Sequence, residues 1–328
     1  MGSSPAFRAA FRREPNAATG VSFARYMEVA MYDPEVGYYT AKRRRVGRDK
    51  KADFFTSTTF SPVFGELVVA AVTGLLAGKN LADYEFVEMG AEPAGGALKD
   101  VPHPFRSYRT ISFPQPLDAT GQCIVFSNEL FDAQPFHRAV WRRGAWRELG
   151  VALEGDELKE VELVEPTPEL AEAIKHFPRE APEDYHIDAP LRTVPLLERI
   201  IRPTWTGLFL AFDYGKSWSS LVRSHPEGTL RTYSHQKMGI EIHDRPGEVD
   251  LTGHVCWDWL IDGLQRNGFG EALVESQESF FATRATVKLQ TIVEVEANAF
   301  SARKQAVMQL LHPGNMGQKF QALHALRE

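Results

Sequence analysis

Gln122-Cys-Ile-Val-Phe-Ser127 runs directly into Asn128-Glu129-Leu-Phe-Asp132, and this stretch decides how the chain is read. Its first half is short and apolar, the pattern of a strand covered on both faces, and it ends in an amide and two carboxylates. Two other stretches have the same form. Tyr84-Glu-Phe-Val-Glu88-Met-Gly90 enters a glycine turn, and Gly207-Leu-Phe-Leu-Ala-Phe-Asp213 continues into Tyr214-Gly215. Three buried parallel strands with polar C-terminal ends predict a doubly wound α/β sheet. Ligands bind beyond the carboxyl ends of such strands. Glu88 to Gly90, Asn128-Glu129 and Asp213-Tyr214-Gly215 are therefore expected to converge on one crevice.

Between the second and third strands the texture changes. Ala139 to Trp141, Trp146 to Ala152 and Leu158 to Val164 alternate as hairpin strands do, separated by Arg-Gly and Glu-Gly-Asp turns, and predict an antiparallel insertion. A helix from about Pro168 to His176, with Thr167 as cap, leads back toward the sheet. Upstream, Phe23 to Met31 reads as a short helix, and Ser61-Pro62 starts another that runs to about Gly78. Downstream, Thr229 to Ser234 reads as a strand. Asp250-Leu-Thr-Gly-His254-Val begins an amphipathic helix ending near Gly268, and a long helix covers about Ala285 to Leu311. The expected division is an N-terminal helical and loop extension (1–60), a core (61–136 and 196–328) and an inserted β-hairpin and helix subdomain (137–195).

Composition narrows the function class. The chain has 328 residues, 43% hydrophobic and 24% charged, with a net charge of −6, which fits a folded globular protein and gives no general affinity for nucleic acid. From Lys42 to Lys51 seven of ten residues are Lys or Arg, a basic loop set against that balance. Cys123 and Cys256 form no CxxC spacing, so a reducing compartment fits. The longest nearly apolar run, Leu67 to Ala77, is too short to span a bilayer. Arg8, Arg12 and Arg13 before Glu14 faintly suggest a transit peptide, but an amphipathic leading helix explains them better, and the cytoplasm is the expected location. The exposed hairpin of the insertion offers a surface through which two copies could form a homodimer.

Several residues are placed to carry chemistry. The turn Glu88-Met-Gly90-Ala91-Glu-Pro-Ala-Gly95-Gly96 has the position used by dinucleotide and S-adenosylmethionine sites, although it does not match GxGxxG and a plain glycine turn explains it equally well. Glu129 and Asp132 could pair with a guanidinium group, since arginine makes charge-assisted, often bidentate bonds to carboxylates; capping of the following turn by Asn128 or Asp132 is the alternative. Asp213 and Tyr214 could face a substrate or simply make a turn. His254 could act as a base or be a structural histidine. The histidines show no metal-ligand spacing, and Gly215-Lys-Ser217-Trp-Ser219 lacks the second glycine of a nucleophile elbow.

At these residues the sequence resembles a known family. Phe23-Ala-Arg-Tyr-Met-Glu28, Tyr32-Asp-Pro-Glu-Val-Gly-Tyr-Tyr39, Asp53-Phe-Phe-Thr-Ser57, Phe64-Gly-Glu66, Asn128-Glu-Leu-Phe-Asp-Ala133, Asp213-Tyr-Gly215, Gly228-Thr-Leu-Arg231, Asp250-Leu-Thr-Gly-His-Val255 and Pro313-Gly-Asn-Met-Gly317 resemble, in order, the motifs of the MidA-like methyltransferases. The resemblance implies a Rossmann-like class I fold that uses S-adenosylmethionine (SAM), with an inserted subdomain. It also implies a protein substrate or partner, a protein arginine being the substrate of the family's characterised eukaryotic member. Glu129 would then hold and polarise the guanidinium, with Asn128 and Asp132 shaping the site. Glu88, Gly90, Ala91, Gly95, Gly96 and Asp118 would face the cofactor, and Asp213, Tyr214 and His254 the substrate.

The chain departs from the family where the cofactor binds. Glu92 and Ala94 replace glycines of the loop, Pro93 stiffens it, and Gly95 and Gly96 are displaced. Gly96 to Ser107 spans about ten residues with two prolines, near or below the dozen a parallel crossover with a helix needs. The next strand, Tyr108 to Phe113, ends without a carboxylate for the ribose, Asp118 being the nearest substitute. Leu117 to Gln122 leaves no room for a further helix and strand. Two readings follow: a methyltransferase that binds SAM in its own way, or a noncatalytic protein of the same fold that serves as a binding or assembly factor.

Overall fold

The computed structural model describes residues 2–40, 62–91, 95–234, 237–239, 242–295 and 301–328. The basic loop, Ser61, and positions 92 to 94 of the glycine turn lie outside the described residues. The chain folds as two compact units, one formed by Met1–Phe54, Asp132–Pro195 and Lys216–Cys256, the other by Phe55–Phe131, Leu196–Gly215 and Trp257–Glu328.

The second unit carries the predicted sheet. Its six strands lie in the order Leu273–Ser276, Gln321–Arg327, Trp205–Asp213, Gly121–Asn128, Glu85–Met89 and Ser107–Ile111. The last four are parallel, whereas Gln321–Arg327 runs antiparallel to both of its neighbours. Ile124, Val125 and Phe126 are buried, and so are Leu208 to Phe212, because these strands are covered on both faces. The helix Val63–Leu75 buries Val63, Phe64, Leu67, Val68, Ala71 and Val72, a helical stripe. Phe64 meets Phe212 and Phe281 edge-on, with ring centroids 5.5 and 5.9 Å apart.

The erosion expected around the cofactor loop is present. Between Glu85–Met89 and Ser107–Ile111 the described residues form only a turn at 97–100, and between Ser107–Ile111 and Gly121–Asn128 there is neither helix nor strand. Prolines 102, 104, 114 and 116 remove backbone donors that a helix in either link would need.

The first unit is antiparallel, as the alternation in the insertion predicts. His137–Arg142 pairs with Ala145–Glu154 and with His186–Ala189, and Glu157–Glu162 pairs on the other side of Ala145–Glu154. The grouping differs from the expected division. Residues 1–54 and 216–256 join the insertion, because Val21 and Ser22 pair with Val151 and Gly150 and because Phe23 packs on Phe136, with centroids 5.3 Å apart.

Two downstream expectations change. Asp250–Thr252 is a strand paired with Arg231 to Tyr233, so the helix starts later, at Trp257. The long helix expected from about Ala285 to Leu311 is instead two, Thr286–Val295 and Ala302–Leu311, with Ser301 capping the second through the Lys304 N–H, and a separate helix, Gln277–Arg284, precedes them. Thr167 precedes its helix but gives no side-chain cap; its hydroxyl bonds Glu148 instead, at 3.2 Å.

Candidate active site

Glu88 is the fourth residue of an interior strand and is 2% exposed. Its Oε2 accepts from the Ala97 N–H at 2.7 Å and from the Tyr108 hydroxyl at 2.6 Å. Burial pushes the carboxyl up to about 7, against the lowering effect of those two donors. Gly96 lies directly against the pair, since a Cβ there would run into Tyr108 Oη and the Glu88 carboxylate. Gly90 has φ +77°, and a Cβ there would stand 2.8 Å from Leu130 Cδ1, so glycine lets the turn lie flat on the neighbouring strand end. Ala91 is half-buried just beyond it, and Gly95 has φ +122°.

At the end of the adjacent strand, the Glu129 N–H donates to Phe212 O at 2.9 Å while its backbone turns left-handed, φ +53°. This is a conformation a non-glycine residue holds only when its surroundings enforce it. Asn128 Nδ2 donates to Glu129 Oε1 at 2.8 Å and fixes the carboxylate. Asn128 Oδ1 is buried and has no hydrogen-bond partner among the described residues. Asp213 is fully buried and holds the site from behind: its Oδ2 accepts from the Phe131 N–H and its Oδ1 from the Tyr214 N–H, both at 2.8 Å. Tyr214 packs on Phe320 with its ring tilted by 39° and centroids 4.1 Å apart.

Glu88, Gly90, Gly96, Asn128, Glu129 and Asp213 thus gather at the carboxyl ends of three neighbouring strands. Asp118 does not join them. It is an exposed partner of Arg109, 2.8 Å away, and Arg109 also holds Glu85.

Asp132 and His254 belong to the other unit. Asp132 is buried, and its backbone O accepts from the Gly253 N–H at 2.9 Å. The same unit holds a half-buried phenol and carboxylate cluster that the sequence reading did not single out. Tyr32 and Tyr39 stack with centroids 5.5 Å apart, and the Tyr39 hydroxyl bonds Asp250 at 3.2 Å. Burial first, and then the charges of Asp250 and Asp132, hold both phenols well above their ordinary range. Tyr108 was also missed, for nothing local marks it as the partner of Glu88, 20 residues away.

A sequence profile of the family described as "Putative S-adenosyl-L-methionine-dependent methyltransferase" matches residues 79–271, more than half of the chain. The chain belongs to this methyltransferase family. Its relatives include the mitochondrial protein arginine methyltransferase NDUFAF7 of Danio rerio, 24% identical over 94% of this chain and 84% of the relative, and that of Homo sapiens, 23% identical over 92% and 78%. The crystal structure of a "likely methyl transferase from Burkholderia thailandensis bound to S-adenosyl-homocysteine" superposes with a TM-score of 0.84 at 23% identity, covering 98% of this chain and 92% of that one. The shared fold is therefore the class I methyltransferase fold with its insertion.

SAM is the family's cofactor, and the residues present fit one end of it. The unpartnered buried acceptor Asn128 Oδ1, next to the left-handed turn at Gly90, suits the ammonium group of the methionine end. At the nucleoside end the strand Ser107–Ile111 continues into Ser112-Phe113-Pro114, without the carboxylate that would hold ribose hydroxyls. Among the described residues no helix is long and apolar enough to cross a membrane.

Proposed function

We propose that this chain methylates the guanidinium of a protein arginine. The observation that carries the reading is Glu129: a carboxylate at the end of a central strand, held in a left-handed backbone and oriented by the Asn128 amide. When bound, SAM supplies an electrophilic methyl group. Glu129 would accept N–H bonds from the guanidinium and hold one nitrogen in line with that methyl, while its negative charge concentrates electron density on the attacking atom. Asn128 keeps the carboxylate aimed. Asp213 keeps the turn behind it rigid, and the Glu88 and Tyr108 pair shapes the floor beneath the glycine turn. The relatives named protein arginine methyltransferase support the choice of substrate.

A second reading is favoured by the shortened links on either side of Ser107–Ile111 and by the missing ribose carboxylate: a noncatalytic partner-binding protein. Calorimetric titration of the purified chain with SAM and S-adenosylhomocysteine separates the two. Micromolar binding, followed by transfer of labelled methyl to arginine-bearing peptides, supports the enzyme; no heat at millimolar ligand leaves the partner-binding protein. Cytoplasmic localisation belongs to the same proposal, although the curated relatives are named mitochondrial, and cell fractionation tests it. A homodimer, if formed, would use a face other than the hairpin edge, where Glu157, Lys159, Glu160 and Glu162 oppose the pairing of two such strands; light scattering reports the state.

A further inference from the structure

Lys216, His225, Arg231 and His254 collect at one place in the unit built around the insertion. The rings of His225 and His254 meet edge-on, with centroids 5.5 Å apart. The His254 N–H donates to Thr229 Oγ1 at 3.1 Å, which fixes it beside the segment that carries Arg231. Lys216 lies in a short strand paired with Val255–Cys256, the residues that follow His254. The segment bearing Thr229 is itself anchored: Asp188 Oδ2 accepts from the Thr229 and Leu230 N–H groups, and Oδ1 from Arg138 Nε at 3.0 Å.

Among the described residues neither Lys216 nor Arg231 has an ion-pair partner. His254 Nδ1 is buried and equally unpartnered. Burial first, and after it Lys216, His225 and Arg231, push the His254 ring down to about 3, so it is neutral. His225 Nδ1 is engaged with Ser220 O at 3.1 Å. Two uncompensated cations around a buried ring nitrogen in need of a partner form a site that lacks an anion.

We propose that Lys216, Arg231 and His254 bind a dianionic phosphate group. Arg231 supplies a planar, bidentate donor, Lys216 a compact positive charge and His254 Nδ1–H a directed hydrogen bond, and the two full positive charges match a dianion. Arg231 is exposed and the other three are half-buried, so the site opens to solvent. SAM carries no phosphate, so this site is separate in chemistry from the cofactor site and stands whether or not the chain methylates arginine.

The test is calorimetric titration of the full chain with inorganic phosphate and with O-phosphoserine, at a pH where phosphate is dianionic. Saturable one-to-one binding is expected, weakened about tenfold or more in Lys216→Gln and in Arg231→Gln. Tighter binding of phosphoserine would mean that the group is carried on a larger ligand; tighter binding of free phosphate would mean the ion itself. The His254 ring signals should shift on titration of the parent chain. Heat that does not saturate, or equal affinity in both variants, overturns the site. If Lys216→Gln fails to fold, Arg231→Gln, which alters an exposed side chain, decides alone.

Discussion

Tyr108 Oη stands 2.6 Å from Glu88 Oε2, so the outermost strand of the sheet closes a carboxylate that its neighbour buries. The pair lies against Gly96, where any Cβ would run into it. It also makes the fold sensitive to pH in a definite direction. With its carboxyl pushed up to about 7, from 4.5, the folded chain binds a proton that the unfolded chain has released across that interval. The stability due to the protonated carboxyl is full below the unfolded value and is lost as pH rises toward the folded one. Glu88→Gln removes this loss. Relative to the parent, it should gain about 2–3 kcal/mol between about pH 5 and about pH 8, read from urea midpoints. A parallel pH dependence in the two proteins would refute the assignment.

Tyr108→Phe deletes a donor that lowers the Glu88 carboxyl. The fall in stability, which begins at the unfolded value in both proteins, should extend to higher pH, and the protein should lose about 1 kcal/mol at neutral pH. Thermal melts across a pH series check both effects; an unmoved transition would mean that the hydroxyl does not act on Glu88.

Gly96→Ala places a methyl against Tyr108 Oη and Glu88, two side-chain ends already fixed by their mutual bond. A destabilisation of about 1–3 kcal/mol is expected, together with weaker SAM binding. Glu88→Gln combined with Gly96→Ala should be non-additive, since the two positions share partners.

Asp213→Ala strips the acceptor from two backbone N–H groups, that of buried Phe131 and that of half-buried Tyr214. About 2–4 kcal/mol should be lost, whereas Asp213→Asn, which keeps one acceptor oxygen, should cost less. Equal costs would show that the carboxylate holds the turn through its charge and not through these bonds.

Glu129→Gln preserves size and should retain SAM affinity while lowering methyl transfer to arginine peptides by about 100-fold or more. Glu129→Gly removes the left-handed strain at φ +53° and should fold at least as well as the parent while being equally inactive. Unchanged transfer in Glu129→Gln would remove the carboxylate from the mechanism.

Much of the fold is legible in the sequence because its signals are local. Gly121–Asn128 and Trp205–Asp213 are apolar runs that must be covered on both faces, and the hairpins of 137–162 alternate between turn residues. That the links on either side of Ser107–Ile111 are too short for a helix follows from chain length and prolines; that a helix and strand are missing there follows from the family resemblance. The division of the expected 285–311 helix into two is weaker in the sequence, since capping by Ser301 competes with a helical pattern that runs through it.

The sequence by itself therefore determined the sheet, its parallel core, the hairpin insertion and the placing of Asn128 and Glu129 at a strand end, because period, run length and turn chemistry act between near neighbours. Only the tertiary structure decided which distant groups meet. It closed Glu88 with Tyr108, turned Asp213 into a clamp on Phe131, grouped residues 1–54 with the insertion, and gave Lys216 and Arg231 no counter-ion among the described residues. Those contacts arise from the packing of segments far apart in the chain, where no local periodicity records the partner and burial alone sets the charge.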